Sequence, residues 1–500
     1  MFDDAKKPLY PGCKKFTKLS ALVRSYNLKV RYGWSNTSFS ELLSIISDLL
    51  PENNKIPTSL YEAKKTLGAL GLSYQKIDAC PNDCCLYRKE YANSTKFPKC
   101  GLSRWKINKN STKESRGVAA KQMWYFPIVP RFIRMFKNLE NAKNLRWHAM
   151  DRNVDGIMRH PADTPSWRLI DHMWPTFGSK PRNLRLDPKQ SGYDINTYLA
   201  PLIDDLKILW EEGVRRFDAY KEEYFTLRAV LLWTINDFPA YDNLCGKYLP
   251  RHHPYRLQKK NFDGKQEHGN PPQPLSREAI YFKLKEMIFS CGKKCGKNNN
   301  EGGNDYWKRR SSFFELPYYK NLQVRHCLDI MYIEKNVCMN IVGTLLDISG
   351  KSKDGMNSRL DLVEMNIRPE LAPMVIELDA LQEDIVMTLC NLEKYFPHSF
   401  FTIMVHLVVH LVREVKLCGP VYLRRMYPFE KYMKVLKIFV RNRNRPEGCI
   451  AEAQVCEEAV QFCSDFLSGL DPIGLGSLNS RKDKQIDRPL SAETYVRPDM

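Results

Sequence analysis

Apolar positions along the first third of the chain fall into short, separate patches. Leu42, Leu43, Ile45, Ile46, Leu49 and Leu50 lie on one broad stripe, so the spacing predicts a helix over 38–50 that Pro51 stops. Residues 59–70 predict a second amphipathic helix, whereas the first 20 residues are basic and irregular. Residues 80–105 form a cysteine-rich turn region, and 106–121 read as a polar, basic linker. Apolar and aromatic side chains return over 124–136 with arginines interleaved, and 163–177 adds two tryptophans and two prolines.

The pattern then strengthens. Leu199, Leu202, Leu206 and Leu209 predict a helix within 195–220. Residues 227–236 are different: Leu227, Ala229, Val230, Leu231, Leu232, Trp233 and Ile235 make a dense apolar run of strand length. A run of that kind fits a strand buried on both faces. Residues 250–310 are poor in aliphatics and rich in Lys, Asn, Gly and Pro, the composition of a flexible basic loop. Helical periodicity resumes over 318–348, 380–417, 427–440 (opened by Pro428) and 451–467. The mixed polar tail that follows reads as disordered, and there are no internal repeats. The expected fold class is α+β, mostly helical.

Charge narrows the partners. With 77 Lys+Arg against 57 Asp+Glu, the net charge of +20 favours a polyanion. The N-terminus lacks the apolar core of a signal peptide. The longest apolar run, 400–412, is interrupted by His406 and His410 and falls short of the roughly 20 residues a membrane span needs. Fifteen scattered cysteines, an odd number, point to reduced thiols in the cytosol or nucleus.

Four features carry candidate chemistry. Cys80 and Cys84, with Cys100 after Phe97-Pro98-Lys99, resemble a zinc ribbon short of one ligand, since tetrahedral zinc takes four Cys or His. Zn²⁺ binding and a purely structural thiol cluster are the two readings; Cys85 is a poor substitute ligand beside Cys84. Asp237 follows the apolar run directly, at the end of a buried strand, where metal-dependent nucleases hold an acidic ligand; the plainer reading is a turn residue before Phe238-Pro239. His406 and His410 share a helix face but have no evident third ligand, and Cys291 and Cys295 have no second pair, so neither couple reads as a metal site. Arg441, Arg443 and Arg445, Lys308, Arg309 and Arg310 beside Trp307, and the arginines of 124–134 are candidate phosphate contacts.

Several longer words add to this. They are Tyr61-Glu-Ala-Lys-Lys-Thr-Leu, Cys80-Pro-Asn-Asp-Cys84, Met158-Arg-His-Pro161, Leu232-Trp-Thr-Ile-Asn-Asp-Phe-Pro-Ala-Tyr241, Ile333-Glu-Lys-Asn-Val-Cys338, Tyr427-Pro-Phe-Glu-Lys-Tyr-Met-Lys-Val-Leu436 and Asn444-Arg-Pro-Glu-Gly-Cys449. On these words the chain closely resembles the transposases of plant CACTA (En/Spm-type) transposons, in the right order from Lys7 to about Cys463. The resemblance implies an RNase H-like core, a DDE/D carboxylate set with Mg²⁺, and DNA at transposon ends as partner, hence a nuclear location. Asp237 matches the second acidic position; Glu430 and Glu334 are alternatives for the third. Asp329-x2-Tyr332 matches an Asp-x2-His motif with its histidine replaced.

The departures from that family are as informative. Leu186 joins almost directly to Asp194-Ile-Asn-Thr-Tyr-Leu199, so the first catalytic aspartate and the central strands are expected to be missing; Asp187 is the nearest acid. Further gaps fall between Gly246 and Lys247 and near Pro373, and Phe97 replaces a family cysteine. The resulting divisions are 1–105 with the degenerate ribbon, 106–249 as a truncated RNase H-like core, 250–310 as the basic loop, 311–375 as a helical segment, 376–467 as a helical C-terminal domain of unknown function, and 468–500 as the tail. The expectation is a transposase-like DNA-binding protein without cleavage or strand transfer. A non-catalytic interaction module built from 376–467, and a residual Mg²⁺-dependent nuclease using Asp187, are the alternatives.

Overall fold

A computed structural model describes residues 6–98, 100–107, 114–150, 152, 158–186, 189–190, 196–236, 279, 281–282, 311–345, 377–395, 403–424, 426–440, 442–443 and 446–466. The architecture is α+β and mostly helical. Three helices open it: α1 (Lys18–Tyr32), α2 (Asn36–Leu49) and α3 (Leu60–Ala69). Each starts on a hydroxyl side chain that satisfies a free helix-end N–H: Thr17, Ser35 and Ser59. Gly33 ends α1 in the left-handed region at φ 68°, a conformation glycine adopts without steric cost.

An antiparallel pair follows, β1 (Gln75–Ala79) with β4 (Lys121–Tyr125), and between them lies the hairpin of β2 (Trp105–Ile107) and β3 (Glu114–Ala119). This hairpin corrects the reading of 106–121 as a linker. Its strands are largely exposed, so they carry no alternating pattern for sequence reasoning to find. Next come α4 (Ile128–Lys137) and α5 (Pro165–Met173).

The central strands are β5 (Leu184–Leu186), β6 (Lys189–Gln190), β7 (Val214–Asp218), β8 (Glu223–Leu227), β9 (Ala229–Leu231), β10 (Thr234–Asn236) and β11 (His326–Leu328), with α6 (Asn196–Glu211) between β6 and β7. β5 runs parallel to β9, and β10 lies between β6 and β11, parallel to both. Leu227 and Ala229 to Trp233 are buried as the apolar run implied, but the run is divided among the end of β8, β9 and β10 instead of forming one strand. The helix expected across 195–220 stops at Glu211. Gly213 at φ 74° turns the chain into the antiparallel β7–β8 hairpin, and a Cβ there would meet the Thr226 methyl at 2.5 Å. α6 covers the sheet with Ile203 and Leu206, and Trp210 packs edge-on against Trp174 and tilted against Tyr318.

The helices α7 (Ile330–Leu345), α8 (Glu377–Tyr395), α9 (Ile403–Cys418), α10 (Tyr427–Ile438) and α11 (Pro446–Phe466) complete the chain. Two details differ from the expected pattern: 326–328 pair as a strand within the stretch read as helical from 318, and 380–417 comprise parts of two helices. The α11 helix returns to the N-terminal helices. Ala453, Val455, Cys456, Ala459, Phe462 and Cys463 are buried in the same core as Leu22, Tyr26, Phe39 and Leu67. Burial of a side chain the size of Phe462 is worth roughly 1.5–3 kcal/mol.

Polar contacts fix that packing. Glu452 accepts from Lys29 Nζ at 2.9 Å and Tyr26 Oη at 3.2 Å, and it also pairs with Lys64. Burial pushes the Glu452 pKa upward, but Lys64 and Lys29 more than offset it and hold the carboxyl below its ordinary value. Six residues later in the same helix, Glu458 takes Arg131 Nε at 2.9 Å and Arg134 Nη2 at 2.6 Å from α4.

Candidate functional site

Two places in the described residues can hold chemistry. The first is the thiol cluster between β1 and β2. Cys80 sits just past β1, and its N–H bonds to the Cys85 carbonyl at 3.0 Å, closing a tight loop in which Asp83 adopts φ 59°. A second loop is closed by Phe97 N–H to Leu102 O at 3.2 Å and Gly101 N–H to Phe97 O at 2.8 Å. The two loops bring the sulfurs of Cys80, Cys84 and Cys100 within 4.8 Å of one another, with Cys80 and Cys100 3.5 Å apart. Among the described residues this is the one group of three or more His, Cys, Asp or Glu arranged to hold a metal ion.

The fourth corner carries no ligand from Phe97. Its ring is buried with Cys80, Cys85 and Tyr87 and meets Tyr91 edge-on at 5.4 Å. Cys85 is buried there too but lies outside the three-sulfur group. Burial raises the Cys80 thiol and pushes Cys84 and Cys85 up to about 12, so protons must leave before a metal binds. Three soft sulfur donors fit zinc, and the missing donor leaves one position open.

The ribbon is tied to the central sheet through α6. Thr197 Oγ1 donates to the Asp83 carbonyl at 2.8 Å, and Asp83 also pairs with Lys121 and Tyr198. Asp204 takes Arg88 at 2.5 Å and Lys89 at 2.8 Å, while Asp205 accepts from Tyr125 Oη at 2.6 Å. Asp204 and Asp205 are half-buried on α6, and no local pattern marks them as docking points.

The second place is the end of the parallel sheet. Asn236, the last residue of β10, is in register with Gln190 on one side and Leu328 on the other. Asp237 follows Asn236 in the sequence and lies outside the described residues. The strand before it does have neighbours on both sides, which corrects the expectation that the strands around it are lost. Leu184 to Leu186 pair with Ala229 to Leu231, and Lys189 and Gln190 pair with β10. Asp187 is also outside the described residues.

Parallel register singles out an acid that the sequence words do not assign a role. Asp329 follows Leu328 in the sequence as Asp237 follows Asn236, and Leu328 and Asn236 are partners in the parallel ladder. Asp329 is buried, at the start of α7. Glu334 is exposed on α7, and Glu430 is exposed in the first turn of α10; neither belongs to a metal-ready group.

Of the candidate phosphate contacts, Arg443 is exposed, while Arg441, Arg445, Lys308, Arg309 and Arg310 lie outside the described residues. Arg131 and Arg134 are turned inward onto Glu458, so the arginines of 124–134 belong to the fold rather than to a ligand surface. His410 is half-buried, and burial lowers its pKa.

Comparison with known families adds the decisive observation. Residues 186–247 match the profile of the transposase family tnp2, and residues 371–474 match a domain of unknown function (DUF4218). The chain is transposase-related. The tnp2 match spans α6 and β7 to β10 and ends at Lys247; the second match begins at Leu371. Both limits fall beside the Gly246–Lys247 and Pro373 junctions where the sequence words break off. The two matches together cover a third of the chain, and no curated protein and no solved structure is significantly similar to it.

Proposed function

We propose that this is a transposon-derived protein of the plant CACTA (En/Spm) type that binds DNA in the nucleus without cutting or joining it. The observation that carries the reading is the short join from Leu186 to Asp194 inside the tnp2 match, where the resemblance would place the first catalytic aspartate. Backbone register sets Gln190 on one side of Asn236 and Leu328 on the other. The parallel order β11–β10–β6 supports an RNase H-like remnant in which the strand bearing Asp237 keeps its flanks. Two-metal phosphoryl transfer needs its carboxylates converging from a rigid frame. The sequence between Leu186 and Asp194 carries no counterpart of the family's first aspartate word, so a full carboxylate set for a Mg²⁺ pair is not expected in this chain.

What remains is binding. The net charge of +20 supplies the electrostatic attraction to phosphates. Zn²⁺ on Cys80, Cys84 and Cys100 would brace the two ribbon loops against α6. The alternative of a free-standing interaction module in 376–467 is disfavoured by α11, whose apolar face is committed to the N-terminal helices. The test is an anisotropy titration of the full chain with a short random-sequence duplex at several salt concentrations. Affinity falling steeply from about 50 to 200 mM salt is expected. Affinity that is negligible, or indifferent to salt, overturns the DNA-binding reading.

A further inference from the structure

The β2–β3 hairpin has no role in the core. Lys106, Ile107, Ser115, Arg116, Gly117 and Val118 are all exposed, and neither strand pairs with a further strand. Its base, by contrast, is fixed. Arg104 donates to Asp78 Oδ2 and to the Ala92 carbonyl, each at 2.7 Å, and its guanidinium lies over the rings of Tyr87 and Trp105. Ala120 N–H bonds to Arg104 O at 2.8 Å, and Lys121 pairs with Asp83. The hairpin is thus a projecting arm on a rigid mount beside the thiol cluster.

Its shape is also specified. Trp105 pairs with Ala119 but Lys106 pairs with Ser115, so Arg116, Gly117 and Val118 are extruded from the ladder as a bulge. Gly117 sits at φ 85°, where an L side chain is strained, so the bulge depends on glycine. Bulges re-aim side chains, and this one takes Arg116 out of the ladder directly after the Lys106–Ser115 pair. Neither base has an ion-pair partner among the described residues, whereas Arg104, Lys121, Arg131 and Arg134 all do.

From this geometry we infer that the β2–β3 hairpin is a contact arm for duplex DNA, with Lys106 and Arg116 as its phosphate contacts. The inference rests on the DNA-binding reading and locates it. A two-stranded ribbon fits the major groove of B-form DNA, while the major groove of duplex RNA is too narrow for it. Single strands are usually held by exposed aromatic platforms, and the hairpin's one aromatic side chain, Trp105, is already covered by Arg104.

The experiment compares full-length wild type with Lys106→Ala/Arg116→Ala and with the charge-keeping pair Lys106→Arg/Arg116→Lys. Each is titrated with duplex DNA, duplex RNA and single-stranded DNA over a range of salt. The alanine pair is expected to bind duplex DNA at least tenfold more weakly at about 0.1 M salt. Its log–log salt slope should be shallower by about 1.8, the value for two lost phosphate contacts. The charge-keeping pair should bind as wild type does, and far-ultraviolet circular dichroism should match for all three. If wild type binds the duplex and the alanine pair binds equally well with the same slope, the hairpin is not the contact and the inference falls while DNA binding stands. If wild type prefers duplex RNA or single strands, the assignment to duplex DNA is overturned. If wild type binds none of them, both readings fall together.

Discussion

Replacement of Glu458 by alanine tests how the C-terminal helix is held. This one carboxylate receives Arg131 at 2.9 Å, Arg134 at 2.6 Å and Gln454 Nε2 at 2.8 Å, with all three charged side chains mostly buried. Removing one partner of a buried pair typically costs about 3–5 kcal/mol, because the remaining charge is left uncompensated. Here the loss is softened: Arg131 keeps the Pro127 carbonyl and Arg134 keeps the Gly71 carbonyl. The expected cost is therefore ~2–4 kcal/mol. With an m-value of about 3 kcal/mol per molar urea, the midpoint should move down by about 1 M. Tryptophan fluorescence reports it, since the Trp124 ring packs within 3.4 Å of the position a Cβ on Gly448 would take. Glu447 is exposed in the first turn of the same helix and serves as control, with an expected effect within about 0.5 kcal/mol for Glu447→Ala. Equal midpoints for the two variants would refute the clamp.

Three other outcomes are expected. Purified protein should bind about one zinc per chain; Cys80→Ser, Cys84→Ser or Cys100→Ser should abolish it, Cys85→Ser should not, and Phe97→Cys should tighten it, all read by a chelator-competition assay. Acid should destabilise the region around Trp167, because burial holds His148 and His160 down at about 4. The unfolded chain takes up protons at about 6.5 while the folded one does not, so stability present at neutral pH is lost between about pH 6.5 and 4, at most about 3 kcal/mol for each histidine before solvent screening; a pH-independent urea midpoint across that window would sink this reading. Gly117→Val should weaken duplex binding without moving the thermal midpoint by more than a few degrees, since the bulge is remote from any core; unchanged affinity would show that the bulge does not set the arm's shape.

The parts of the fold that sequence reasoning found are those in which neighbouring residues share one environment. Buried strands need a continuous apolar run, and 227–236 supply it, although the breaks that divide the run among β8, β9 and β10 left no mark in the pattern. The cysteine spacing likewise foretold the thiol cluster, because both loops are local. What was illegible depends on partners far along the chain. Lys29 is buried only because Glu452, 423 residues later, neutralises it. Arg131 and Arg134 look like a basic face until Glu458 is placed beside them. The standing of Asp329 comes from parallel register between β10 and β11, which no spacing within either strand encodes. The β2–β3 hairpin was missed for the opposite reason: exposed on both faces, it has no alternation to read.

Binding without cutting is tested most directly by incubating the full chain with Mg²⁺ or Mn²⁺ and a duplex carrying the element's terminal sequences, with product strands resolved on a denaturing gel. Salt-dependent binding with no cleaved or joined product is the expected result. Cleavage that disappears in Asp237→Ala would contradict it, because the carboxylate would then belong to a working metal site.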